Sequence, residues 1–258
     1  MVAIDIKDDL RQAVVISKNE ITKYLRGRRI LLIGILTVAL LGLFSALPYL
    51  LGESYSDPTD VAITFTSIYS FILELAAVLF AATTIVSEFE DRTALVLFTK
   101  PVRKGSIFIG KFMACFLILA VLAAIYLGYT MAFSLAAVGE VAPGFGSAFL
   151  LSLAACFGVI GLGMMISSFS KKGSTAIILT LILLLILLGT IASMLEVFAD
   201  IESWWCITNC IDAITFNFGA IGDVSMSDSE ITRAGIVMVI WGIVCSVLSF
   251  LLFRKREF

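Results

Sequence analysis

The sequence predicts an all-α integral membrane protein. It would have six transmembrane helices, an N-terminal interfacial helix, a short cytoplasmic helix after the second span and a short external re-entrant or surface hairpin before the sixth. Three observations carry this expectation. Of 258 residues, 60% belong to the set AVILMFWYC and only 15% are charged, whereas soluble domains sit at about 45–50% and about 25%. Mean hydropathy is +1.07, and a soluble globule of this size lacks the interior to hide so much apolar surface. Six apolar stretches reach the roughly 20 residues that a helix needs to cross about 30 Å of hydrocarbon.

Taken in order, residues 1–29 form a basic N-terminal region and residues 30–253 a six-span domain, followed by a tail at 254–258. The spans are expected at 30–51, 61–86, 107–138, 145–169, 174–198 and 235–253. The third is longer than needed and should tilt or emerge from the bilayer. Runs of this length without alternation cannot be barrel strands. The first span has a long preceding region and no small-residue cleavage site, so it is expected to stay in the protein.

Charge orients the spans. Seventeen of the 18 Lys+Arg fall in residues 1–29, the 92–111 stretch, the Lys171-Lys172 turn or the tail; only Arg233 lies on the other side. The positive-inside rule then puts both termini in the cytoplasm, in a multi-pass protein of the plasma membrane.

Outside the spans, Leu10, Val14, Ile21 and Leu25 fall roughly on one face of a helix over 5–26, with Ser17 interrupting the pattern. The stretch reads as an interfacial helix leading into the first span, or else as a solvated basic arm. The external segment Ala199–Ala234 carries Trp204, Trp205, Ile207, Ile211, Ile214, Phe216 and Phe218, with Asn217-Phe218-Gly219 and Gly222 as breakers. It is too short for two full spans, and a re-entrant or surface hairpin fits it. Cys206 and Cys210 lie there, as two unpaired thiols or as bridges between subunits.

Several chemistries are excluded. The chain has no His, which removes Ser-His-Asp and Cys-His catalysis and HExxH zinc chemistry. No metal site, cofactor or catalytic residue is expected, and no large basic surface suggests nucleic acid. Gly105 to Lys111 spells GxxxxGK, but Phe112 stands where Ser or Thr would hold magnesium, and a membrane helix follows instead of a buried strand. Ala154, Gly158, Gly161 and Gly163 give the fourth span a small-residue face suited to close helix packing. Glu74 is the only ionisable residue deep in a span. An intramembrane acid marks a translocation path or an interface, or is a protonated side chain bonded to a neighbouring helix.

Ser87 to Lys111 is the most informative stretch. Glu88, Glu90 and Asp91 suit a helix N-terminus. Ala94, Leu95, Leu97 and Phe98 form an apolar cluster, Thr99-Lys100-Pro101 stops the helix, and Arg103 and Lys104 lead to the third span. A cytoplasmic helix exposing apolar groups wants a partner protein.

This stretch resembles the first cytoplasmic loop of type-2 ABC transporter permeases. Glu88, Glu90, Thr93, Leu95, Leu97, Pro101, Val102, Arg103, Gly110 and Lys111 fit that family's pattern, with Arg92 where the family often has Gly. Gly161-Leu-Gly-Met-Met-Ile-Ser-Ser-Phe-Ser-Lys-Lys resembles the end of its fourth span. The resemblance implies the membrane-spanning permease subunit of an ABC transporter, not itself an enzyme. It also implies pairing with a second permease subunit, a homodimer or a related chain, and a separate ABC ATPase subunit. Residues 88–104 would be a coupling helix, with Glu88, Glu90, Leu95, Leu97, Phe98, Pro101 and Arg103 at the ATPase. The alternative is a secondary carrier or channel using Glu74 as a proton or ion site, although no internal repeat accompanies it.

Overall fold

A computed structural model of the chain describes residues 6–52, 55–90, 104–222 and 224–255. Among the described residues the regular elements are helices, together with one isolated bridge between Ile221 and Val224. Six helices are long and apolar enough to cross a membrane: the fold is that of a multi-pass helical membrane protein.

The first helix, α1 (Ile6–Arg26), joins α2 (Arg28–Leu50) through Gly27. Its buried residues are Ala13, Ser17, Glu20 and Tyr24, spaced for one helical face. That face lies on α5 (Lys104–Ala137), the third span. The contact is close at Gly110, where a Cβ would come within 2.7 Å of the Ala13 carbonyl oxygen. Leu10, Val14, Val15 and Leu25 point away from the bundle. Ser17, which breaks the apolar pattern in the sequence, belongs to the inward face.

The second span, α3 (Pro58–Thr84), is the central helix. It is buried along most of its length, whereas α2 and the fifth span turn most of theirs outward. Pro58 opens it, and the Asp57 carboxylate accepts from the Thr59 amide at 2.8 Å, a start signal written into the chain. At Ile85 the helix breaks before α4 (Val86–Glu90). The freed Ile85 and Val86 amides donate to the Ser167 hydroxyl at 3.1 and 3.0 Å. A break of this kind in an apolar interior requires such a partner.

The fourth span, α6 (Phe145–Phe169), packs most extensively on α10 (Asp228–Lys255), the sixth. A Cβ at Gly158 would lie 2.8 Å from the Met238 oxygen, and one at Gly161 2.8 Å from the Gly242 oxygen. Gly163 faces α3, 2.9 Å from the Ala81 methyl by the same measure. The small-residue face thus seats two helices, and Ser168 reaches Ser249 hydroxyl to hydroxyl at 2.8 Å.

The fifth span comprises α7 (Gly173–Ile182), a π-helical stretch (Leu183–Leu188) and α8 (Gly189–Ala199). The Cys206 thiol donates to the Leu188 carbonyl at 3.5 Å, where the widened helix re-enters α geometry.

Between α8 and α10 lies α9 (Ile207–Phe216), a ten-residue helix buried against α3, α6 and α10. Cys206 and Cys210 are buried free thiols, so inter-subunit bridging is not open to them in this conformation. The helix that carries the sixth span begins at Asp228, ahead of the apolar stretch expected from Gly235. The Ser227 amide and hydroxyl both donate to the Glu230 carboxylate at 2.8 Å. This Ser-x-x-Glu pattern is a start signal local to the sequence.

Candidate functional site

Lys111 directly follows Gly110, at the contact of α5 with α1. Its ammonium is 3% exposed and donates to Glu20 at 2.7 Å, to Glu88 at 2.8 Å and to the Thr84 carbonyl at 3.0 Å. Three donors meet three acceptors from α1, the end of α3 and α4. Lys23 adds a looser contact to Glu88 at 3.9 Å. Beneath lies a neutral layer: the Tyr24 and Thr84 hydroxyls are 2.7 Å apart, and the Cys115 thiol is 3.1 Å from Thr84. Burial, then the Cys115 thiol and the Glu20 carboxylate nearby, push the Tyr24 hydroxyl well above the usual tyrosine value, so it stays an uncharged partner.

A buried ion pair gives little net stability against an apolar alternative, but removing one partner is expensive. The cluster therefore fixes relative placement: α1, α4 and α5 cannot separate without exposing an unpaired charge.

Glu90 behaves similarly. Its carboxylate accepts from the Gly173 amide at 2.8 Å, at the start of α7, where a carboxylate suits a helix N-terminus. Glu88 and Glu90, both expected at the ATPase, bind their own chain in this structure. On the far side of the 91–103 segment, the Lys104 ammonium donates to the Arg254 carbonyl at 3.3 Å. Leu95, Leu97, Phe98, Pro101 and Arg103 lie outside the described residues.

Arg29 donates to the Thr83 hydroxyl and to the Leu79 carbonyl. With Lys104, Lys111 and the Gly173 turn, it brings the four basic segments of the chain to one end of the bundle. At the other end, the Asn217 amide donates to the Gly144 carbonyl at 2.9 Å and accepts from Ser147 at 2.8 Å.

Glu74 is 8% exposed, in the middle of α3. Among the described residues it forms no hydrogen bond or ion pair. Gly105 to Lys111 is helical. Its Gly-Lys pair docks α1, through close approach at Gly110 and the ion pairs of Lys111.

The fold defines a polytopic α-helical membrane protein whose buried ion pairs, among the described residues, lie at one end of the bundle. The chain belongs to the ABC-2 family of transporter proteins, which matches residues 45–251. It is similar to the probable ABC transporter permease protein NosY of Pseudomonas aeruginosa, with 35% identity over 130 residues, covering 49% of this chain and 46% of that protein. The NosY protein of Stutzerimonas stutzeri is 34% identical over 124 residues, covering 46% of this chain and 44% of its own. The matched region thus spans under half the length of each curated relative. Membership makes the chain an ABC-2 family transporter protein, which displaces the carrier-or-channel alternative.

Proposed function

We propose that the chain forms half of a translocation pathway, pairs with a second permease subunit, and is driven by a separate ATPase seated on residues 91–103. Both termini would lie in the cytoplasm, α1 in the inner interface, and α9 with the turn at Gly222 would form a re-entrant hairpin on the outer side. The single observation that carries the reading is the anchoring of both ends of 91–103. Glu88 holds Lys111 and Glu90 holds the Gly173 amide before it, and Lys104 holds the Arg254 carbonyl after it.

The mechanism follows from that anchoring. An ATPase that moves 91–103 pulls on α4, and α4 is bonded to the third and fifth spans. The Ile85 break lets α4 pivot against α3, with Ser167 keeping the freed amides satisfied. ATP shifts the permease only if the ATPase binds one arrangement of these elements better than the other. In this reading Glu88 and Glu90 position the docking segment from within, while Leu95, Leu97, Phe98, Pro101 and Arg103 meet the partner. Glu74 faces the pathway or the second subunit.

The test is purification of the tagged chain from its native membrane in mild detergent. An ABC ATPase in stoichiometric amount supports the reading. A chain that purifies alone and carries flux without ATP contradicts it.

A further inference from the structure

Next to the ion-pair cluster, at the α1–α2 elbow, lies a cavity of about 270 Å³. One wall is cationic, with Lys23, Arg28 and Arg29; the other carries the hydroxyls of Thr83, Thr84 and Ser87. The one acid on its wall, Glu20, is committed to Lys111 at 2.7 Å. Lys23 reaches a carboxylate only at 3.9 Å. Arg28 forms no hydrogen bond or ion pair among the described residues. Arg29 spends part of its donor fork on Thr83 and Leu79, and a guanidinium has five N–H groups to give. The 23-residue helix α2 starts here, behind Gly27, which offers no side-chain cap, and its first amides have no intrahelical acceptor.

The Thr83 and Thr84 hydroxyls already donate to the Leu79 and Phe80 carbonyls, so the cationic wall defines an anion site. What lies beside it indicates the kind of anion. Leu31, Leu32 and Ile35 follow Arg28 at helical spacing and are 63%, 54% and 69% exposed. Arg28 thus heads an outward apolar stripe on a span that buries little of itself. A ligand suited to both parts carries a phosphate at one end and acyl chains at the other.

We propose that this cavity binds the phosphate of an acidic phospholipid from the inner leaflet, with its chains lying along the Leu31–Ile35 face of α2. The proposal rests on the cytoplasmic placement of residues 1–29 argued above. Basic pockets at this depth recognise acidic headgroups by charge and by hydrogen bonds to phosphate oxygens. The bound lipid neutralises Arg28 and adds a further partner to Lys23 and Arg29. Through Lys23 it also lies against the cluster that holds Glu88.

The experiment is native mass spectrometry of the full chain, purified in detergent and titrated separately with phosphatidylglycerol and phosphatidylcholine, and with phosphatidylglycerol in the presence of inorganic phosphate. Wild-type protein should bind phosphatidylglycerol in preference to phosphatidylcholine. Arg28→Gln should reduce that preference by about fivefold, Arg28→Lys should restore most of it, and the exposed α1 control Arg11→Gln should leave it unchanged. Both substituted positions are exposed, and size-exclusion elution checks that each variant is folded. Equal binding of the two lipids, or a preference unaffected by Arg28→Gln, would overturn the proposal. Displacement of phosphatidylglycerol by an equal concentration of inorganic phosphate would assign the cavity to a free anion and also overturn it. Detergent removes membrane sidedness from the measurement, and ATPase co-purification is scored separately, so failure of the proposed function cannot imitate failure of the lipid site.

Discussion

The Lys111 ammonium lies 2.8 Å from the Glu88 carboxylate, bonding the helix that precedes the 91–103 segment to the first turns of the third span. The same ammonium holds Glu20 of α1, so one side chain joins α1, α4 and the third span.

Lys111→Met should leave Glu20 and Glu88 facing each other in a buried place. Breaking a buried pair in this way costs about 3–5 kcal/mol. The triple variant Lys111→Met, Glu20→Gln, Glu88→Gln removes the charges together and should regain most of the loss. Thermal unfolding of the purified chain in detergent measures both. A single variant as stable as the triple would mean that the cluster does not hold these helices together.

Gly161→Val should separate the fourth and sixth spans, because its Cβ would lie 2.8 Å from the Gly242 oxygen, closer than van der Waals contact permits. Gly146→Val on the same helix meets open space and serves as control. Monodisperse yield on size-exclusion chromatography should fall sharply for the first and stay near wild type for the second. Equal yields would remove the close-packing role of Gly161.

The six apolar helices were legible because the bilayer demands about 20 apolar residues and leaves few alternatives. The small-residue face of the fourth span was legible for a similar reason. The Lys111 cluster was not. Glu20 lies 91 residues from Lys111 in the chain, and no local pattern pairs residues that far apart. Glu88 and Glu90 were read as facing a partner, because a local pattern cannot show that Lys111 and the Gly173 amide come to meet them. The Ile85 break carries no Pro or Gly; its stabilising hydroxyl belongs to Ser167, 82 residues away. By contrast, the early start of α10 was encoded locally in Ser227 and Glu230.

Glu74→Gln should insert, fold and retain partner subunits. The amide keeps the shape while removing any charge from a site that offers no hydrogen bond among the described residues, and intramembrane charge costs several kcal/mol. Glu74→Lys should lower the amount of assembled complex. The readout is complex recovered per unit of membrane, with ATP-driven flux measured alongside. Loss of flux with assembly intact for Glu74→Gln would assign the carboxyl a role in the pathway and exclude a purely packing one.

Orientation is tested by single-cysteine labelling with a membrane-impermeant reagent, in a background lacking the five native cysteines. Lys171→Cys and Lys172→Cys should label only after the membrane is opened; Glu53→Cys and Asp223→Cys should label in intact cells. The 17-to-1 division of basic residues predicts this pattern. Labelling at 171 in intact cells would invert the topology.

The most direct measurement is ATPase retention by detergent-solubilised variants of the docking segment. Leu97 and Phe98 are apolar side chains in a segment flanked by Glu88, Glu90, Arg103 and Lys104, and burying one in a partner groove is worth about 1.5–3 kcal/mol. Leu97→Asp and Phe98→Asp should leave the permease inserted and paired yet strip the ATPase in a pull-down. Arg103→Glu should weaken retention less and in a salt-dependent way, as for a charge at an interface rim. Full ATPase retention by both Asp variants would contradict the assignment of this segment as the docking element.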